Sequence, residues 1–229
     1  MTLLLLETAT QICSVALVRD GQVVREIHSD EPNAHSSRLA CFIDEICSAS
    51  GTGLDELGAV CVSSGPGSYT GLRIGVSSAK GICYALGIPL VAVPTLQNMA
   101  AGYYDAHPDY EGLVCPMIDA RRMECYTALF SRQAQLCDTE AQVIEADSFR
   151  TWLDGQTVTF VGDGAAKTQS LLGGHPNARY DLDFRISATG MARLAAERLE
   201  KQQTEDVAYF EPFYLKDFVA KKSVVHGLR

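Results

Sequence analysis

The chain comes close to repeating itself at half its length, and this constrains the fold more than any single motif does. The opening "LLLLETATQICSVALVRDGQVVREI" reads as an apolar strand, a polar turn and two further strands in a meander. The stretch "LVCPMIDARRMECYTALFSRQAQL", beginning at residue 113, has the same order: apolar strand, acidic residue, polar turn, second strand, polar turn. A shift of 112 positions puts Glu7 on Asp119, Cys13 on Cys125, Ala16 on Ala128 and Leu17 on Leu129. In a chain of 229 residues that offset implies two similar halves.

Each half carries further elements in matching order. In the first, Ser36 or Ser37 can cap a helix through about Ser48, with Leu39, Phe42, Ile43 and Ile46 on one face. "LGAVCVSS" reads as a fourth strand, residues 70–86 as a helix and "PLVAVP" as a fifth strand, before a looser link at 102–112. In the second half, "SFRTWL" starts a short helix and "TVTFVGDG" is a strand ending in a Gly turn. "RISATGMARLAAERLEKQQ" predicts a helix capped at Ser187 or Thr189. Three strands, helix, strand, helix, strand and helix, twice over, is the plan of the α/β actin-like ATPase and sugar-kinase (ASKHA) superfold. The expected subdomains are 1–105 and 106–229, each βββαβαβα.

Composition narrows the function. A net charge of −9 disfavours gripping a phosphate backbone by charge alone. The exception is "YLKDFVAKKSVVHGLR", whose basic residues, Lys221 and Lys222 among them, suit either a solvated tail or a minor contact to an anionic partner. The eight cysteines form no C-x-x-C pair and mostly sit in apolar runs, which reads as reduced core cysteine. No apolar run approaches the roughly 20 residues of a membrane helix. "MTLLLLETATQ" lacks the basic flank of a signal peptide, and the expected address is the cytoplasm.

"SSGPGSYTGLRIG", residues 63–75, joins the fourth strand to the following helix. It lacks the G-K-[ST] of a P-loop and the spacing of a dinucleotide fingerprint. Backbone N–H groups at the helix start could still attract an anion. Alternatively, Gly71, Gly75, Ala79 and Cys83 lie four apart on one face, where small side chains admit a close neighbour. That neighbour could belong to the same chain or to another subunit.

"GPGSYTGLRIG" resembles the signature of the TsaB (YeaZ) family. "LLETATQICSVAL", "HSSRLACFIDEI", "IDARRMECY" and "EPFYLKDFVAKK" resemble its other segments, with Glu7 where aspartate is usual. The resemblance implies a non-catalytic subunit that pairs with a TsaD-type catalytic subunit for threonylcarbamoylation of the tRNA adenosine 3′ of the anticodon. It also implies a homodimer when alone, a TsaE-type ATPase as further partner and a TsaC-type enzyme supplying the adenylate. The interface it implies comprises His35, Leu39, Phe42, Ile43, Tyr69, Gly71, Leu72, Gly75, Val76 and Ala79.

Catalytic chemistry is hard to find. His28, His35, His107, His175 and His226 include no pair three or four apart, so no helical metal pair is expected. An ATPase of this superfold needs a carboxylate at the first hairpin. Glu7 is the candidate there, and a structural role at the turn with Thr8 and Thr10 is its alternative. Gly162 and Gly164 stand where the superfold meets adenosine. No cofactor is expected to be required, with ATP or ADP at a subunit junction as the open option. A small kinase or ATPase and a glycoprotease-like peptidase are the competing classes.

Overall fold

The computed structural model describes residues 1–31 and 34–216. β1 (Thr2–Glu7), β2 (Cys13–Arg19) and β3 (Gln22–Ser29) form the expected antiparallel meander. α1 (Ala34–Ala49), β4 (Leu57–Ser63), α2 (Tyr69–Leu86), β5 (Leu90–Val93) and α3 (Thr95–Ala106) complete the first half. β4 and β5 join in parallel, giving the strand order β3-β2-β1-β4-β5. The second half contains β6 (Leu113–Asp119), β7 (Glu124–Thr127), β8 (Glu140–Val143), α4 (Arg150–Gly155), β9 (Val158–Val161), α5 (Ala165–Leu172), β10 (Ala178–Asp181) and α6 (Ala192–Glu200). Its sheet runs β8-β7-β6-β9-β10, the same topology. The repeat is thus a repeat of architecture, and the ASKHA plan holds.

The four leucines of β1 follow from its central position. Successive side chains of a strand point to opposite faces. Leu4 and Leu6 enter the core under α1 and α2, while Leu3 and Leu5 enter a second core on the other face. A strand covered on both sides has no polar face, so its sequence shows no alternation.

Several boundaries move. α1 begins at Ala34, so Ser36 and Ser37 lie inside it rather than capping it. Residues 102–106 belong to α3 and not to a loose link. Ser187 does cap, accepting from Thr189 N at 3.0 Å, but it opens a 3-10 turn (Ala188–Met191) that precedes α6. The hairpin register also corrects the repeat: Glu7 faces Ser14, whereas Asp119 faces Cys125. The second turn is one residue shorter, so past the turn Ser14, and not Cys13, is the counterpart of Cys125.

The two halves exchange their last helices. Leu96, Met99 and Tyr103 of α3 pack with Val114, Ile118 and Val161 of the second sheet. Met191, Leu194 and Ala195 pack with Leu3, Leu5, Ala59 and Val91 of the first. At the crossing, a Cβ on Gly190 would overlap Asn98 and stand 3.1 Å from the Gly102 Cα. A side chain there would push α3 off the 3-10 turn.

Candidate functional site

Glu7 ends β1 and is wholly buried. Its carboxylate accepts from Ala9 N at 2.7 Å, from Ser63 Oγ at 2.5 Å and from Asn98 Nδ2 at 2.7 Å. Burial raises its pKa to about 6, against the pull of these three donors. The carboxylate ties the first hairpin to β4 and α3. Thr8 and Thr10 act beside it in other bonds: Thr8 Oγ1 donates to Gly71 O at 2.8 Å, and Thr10 Oγ1 accepts from Ile12 N at 3.2 Å.

The glycines of the 63–75 stretch are explained by the same hairpin. A Cβ at Gly67 would overlap the Ala9 carbonyl, one at Gly71 the Thr8 carbonyl and one at Gly75 the Thr8 hydroxyl. The close neighbour of α2 on this face is the chain's own first turn. Most of the residues expected at an interface face inward within the single chain. Leu39, Phe42, Ile43, Leu72, Val76 and Ala79 are buried against the chain's own sheet and core, as are Gly71 and Gly75. His35 and Tyr69 are only partly buried, and His35 Nε2 lies 3.2 Å from Ile12 O. The outward faces carry Arg38, Cys41 and Glu45 on α1, and Arg73, Ser77, Gly81 and Tyr84 on α2.

Between the halves lies a cleft of about 1030 Å³. Ala9, Thr10 and Gly67–Thr70 line it from the first half, Asp119, Arg121, Arg122, Glu124 and Asp163 from the second. Glu7 is not among its lining residues. Asp119 is half exposed, accepting from Lys167 Nζ at 2.5 Å and from Arg121 N at 2.8 Å. Partial burial pushes its pKa up, but the Lys167 ammonium and the Arg121 N–H outweigh that and hold it below the usual carboxylate value. Asp119 N donates to Asp163 Oδ1 at 3.0 Å.

Gly162 (φ +99°) and Gly164 stand where close packing requires them. A Cβ on Gly162 would overlap Met99 and Met117 O, and one on Gly164 would stand 3.0 Å from Cys125 Sγ. Their placement is accounted for by packing within the chain. Lys221 and Lys222 lie outside the described residues. Among the described residues, no three His, Cys, Asp or Glu side chains are grouped to hold a metal. No helix there is long and apolar enough to cross a membrane. Sequence reasoning does not single out Ser63, Asn98, Arg121 or Arg122, whereas Lys216 falls in the basic C-terminal stretch. Ser63 and Asn98 are brought to Glu7 from 56 and 91 positions away, without any local pattern to mark them.

Comparison with known proteins fits this architecture. The family model described as "TsaD: tRNA N6-adenosine threonylcarbamoyltransferase" matches residues 23–227. The Escherichia coli tRNA threonylcarbamoyladenosine biosynthesis protein TsaB is 32% identical, over 98% of each chain. The structure of YeaZ from Pseudomonas aeruginosa superposes with a TM-score of 0.82 at 26% identity, covering 93% of this chain and 99% of its own. A ROK hexokinase from Thermus thermophilus, at 11% identity and a TM-score of 0.51 over 88% of this chain and 100% of its own, shares the fold. With a near-complete match in sequence and in topology, this chain belongs to the TsaB (YeaZ) family.

Proposed function

We propose that this chain is the non-catalytic scaffold subunit that pairs with a TsaD-type catalytic subunit in threonylcarbamoylation of the tRNA adenosine 3′ of the anticodon. Glu7 carries the reading. The carboxylate at the position where an ATPase of this fold needs one is sealed under the first hairpin and engaged by three donors. It has nothing to offer a metal or water in the cleft. The TsaE-type ATPase and the TsaC-type adenylate synthase are functional neighbours in this reading, the setting is cytoplasmic, and the chain alone is a homodimer.

The partner surface is the outward side of α1 and α2. A Cβ at Gly81 would meet nothing within 4 Å. A glycine inside a helix costs about 1 kcal/mol relative to alanine, and the described residues give no packing reason for this one. A partner helix lying close over α2 would supply that reason. Light scattering on a sizing column, with and without the TsaD-type partner, tests it. Gly81→Leu should leave the chain folded and at least as stable, yet weaken both homodimer and mixed complex about tenfold or more. Wild-type assembly by this variant would refute the surface. Gly75→Leu could not serve, because it would break the contact with Thr8 inside the chain.

A second reading is supported by the cleft, whose walls bring Thr10 and Thr70 together with Arg121 and Arg122. ATP or ADP would bind there at a subunit junction, without being required for the scaffold role. Calorimetric titration with ADP should give binding only when the partner is present; tight binding to the isolated chain would favour a free-standing ATPase instead. The peptidase class is not favoured, since among the described residues no three His, Cys, Asp or Glu side chains are grouped to hold a metal.

A further inference from the structure

The chain after α6 follows a defined path across the molecule. Glu205 N donates to Leu90 O at 2.8 Å, occupying the open edge of β5. Lys80 Nζ, on α2, donates to Ala208 O at 3.2 Å and to Phe210 O at 2.8 Å. Val207 and Phe210 pack on the core beneath α1 and α2. Phe213 N donates to Ser64 O at 2.7 Å, and Phe213 O fills the space that a Cβ on Gly65 would need. Gly65 is therefore matched to this segment, whereas Gly67, Gly71 and Gly75 are matched to the first hairpin.

Beyond Phe213 the character of the attachment changes. Tyr214 lies against Tyr69, the first residue of α2, with ring centroids 4.9 Å apart. Lys216 then reaches the other half and pairs with Glu124 of β7. Tyr214, Leu215 and Lys216 all line the interlobe cleft. Up to Phe213 the segment is held by hydrogen bonds to its backbone and by half-buried apolar contacts from Val207 and Phe210. Among the described residues, Tyr214–Lys216 are held by the ring contact with Tyr69 and by a partly exposed ion pair, the latter weakened by salt.

We propose that residues 205–216 form a latched strap. Its proximal part is fixed to the first half, and its distal part, Tyr214–Lys216, closes over the interlobe cleft and links the halves through Lys216 and Glu124. Release of this end opens the cleft without disturbing the strap's anchor. The strap is independent of the partner reading, because every contact it uses lies within one chain. A ligand entering the cleft, or a subunit docking at the start of α2, would meet the latch first.

Hydrogen exchange followed by mass spectrometry on the full chain tests this. Lys216→Met, Glu124→Gln and Tyr214→Ala should each speed exchange severalfold in peptides covering 65–72 and 119–126, while peptides over β1 stay unchanged. Raising the salt concentration on the wild type should reproduce the effect of Lys216→Met. The Lys216→Met/Glu124→Gln double variant should exchange no faster than either single variant, as two halves of one contact require. Unchanged exchange in both peptides would overturn the proposal. So would additive effects in the double variant, or a rise spread evenly over β1 as well.

Discussion

The two halves place a carboxylate at the same point of the same topology and treat it in opposite ways. Glu7 is sealed from solvent, holds three donors and has its pKa raised to about 6. Asp119 stands at the cleft, is paired with Lys167 and has its pKa lowered. The difference traces to what lies over each hairpin. In the first half, Gly67, Gly71 and Gly75 let α2 settle directly on residues 8 and 9. In the second, only Gly164 approaches, and α5 is eight residues long. A duplicated architecture has made one copy of the turn into a structural joint and left the other open. Equivalent position in a repeat therefore does not carry equivalent chemistry.

The comparison can be broken most forcefully through the glycines. Gly75→Leu puts a branched side chain where Thr8 stands and should cost about 3 kcal/mol or more, by overpacking. Gly164→Ala, whose Cβ would sit 3.0–3.1 Å from its neighbours, should cost no more than about 1 kcal/mol. Urea unfolding of both variants measures the ratio. Equal losses would mean that the two turns are packed alike.

Next comes pH. The folded chain holds the Glu7 proton more tightly than the unfolded chain, so it binds more protons between pH 4.5 and about 6. Stability then falls as pH rises through that window, by about 2 kcal/mol, and is level above it. Glu7→Gln should abolish this slope. Asp119 has the opposite sign: its contribution is present above pH 3.8 and is lost as pH falls through its lowered pKa. Unfolding curves for wild type, Glu7→Gln and Asp119→Asn across pH 3–7 should show the two slopes reversed. A shared sign would end the contrast.

The smallest effect is expected at Lys167→Met. It removes an ion pair whose carboxylate side chain is 49% exposed, and should change stability by less than about 1 kcal/mol. A larger loss would show that the second turn, too, is a structural joint.

Much of this was legible in the sequence, for local reasons. The meander, the helix at 70–86 and the repeat all follow from periodicity and turn residues, which act over a few positions. The spacing of Gly71, Gly75 and Ala79 marked a face that something approaches closely. It could not name the neighbour, because period reports that a face is covered and not by what. The resemblance implies a second subunit at these helices, and most of the residues it implies also pack within the chain on Thr8, the sheet and the core. The exchange of α3 and α6 was illegible for the same reason: an apolar helix face fits either sheet equally well. The strap's contacts to Ser64, Tyr69 and Glu124 leave no local pattern, since an irregular backbone makes them across more than 90 residues of sequence.

The helix exchange also fixes an order of events during synthesis. One face of the first sheet, with Leu3, Leu5, Ala59 and Val91, is covered by Met191, Leu194 and Ala195. A ribosome must therefore add about a hundred residues after β5 before that face can be closed, which takes roughly 5–20 s at 5–20 residues per second. Until then the nascent first half presents a bare apolar sheet. This makes it a natural client for a chaperone and a poor choice for expression as an isolated fragment.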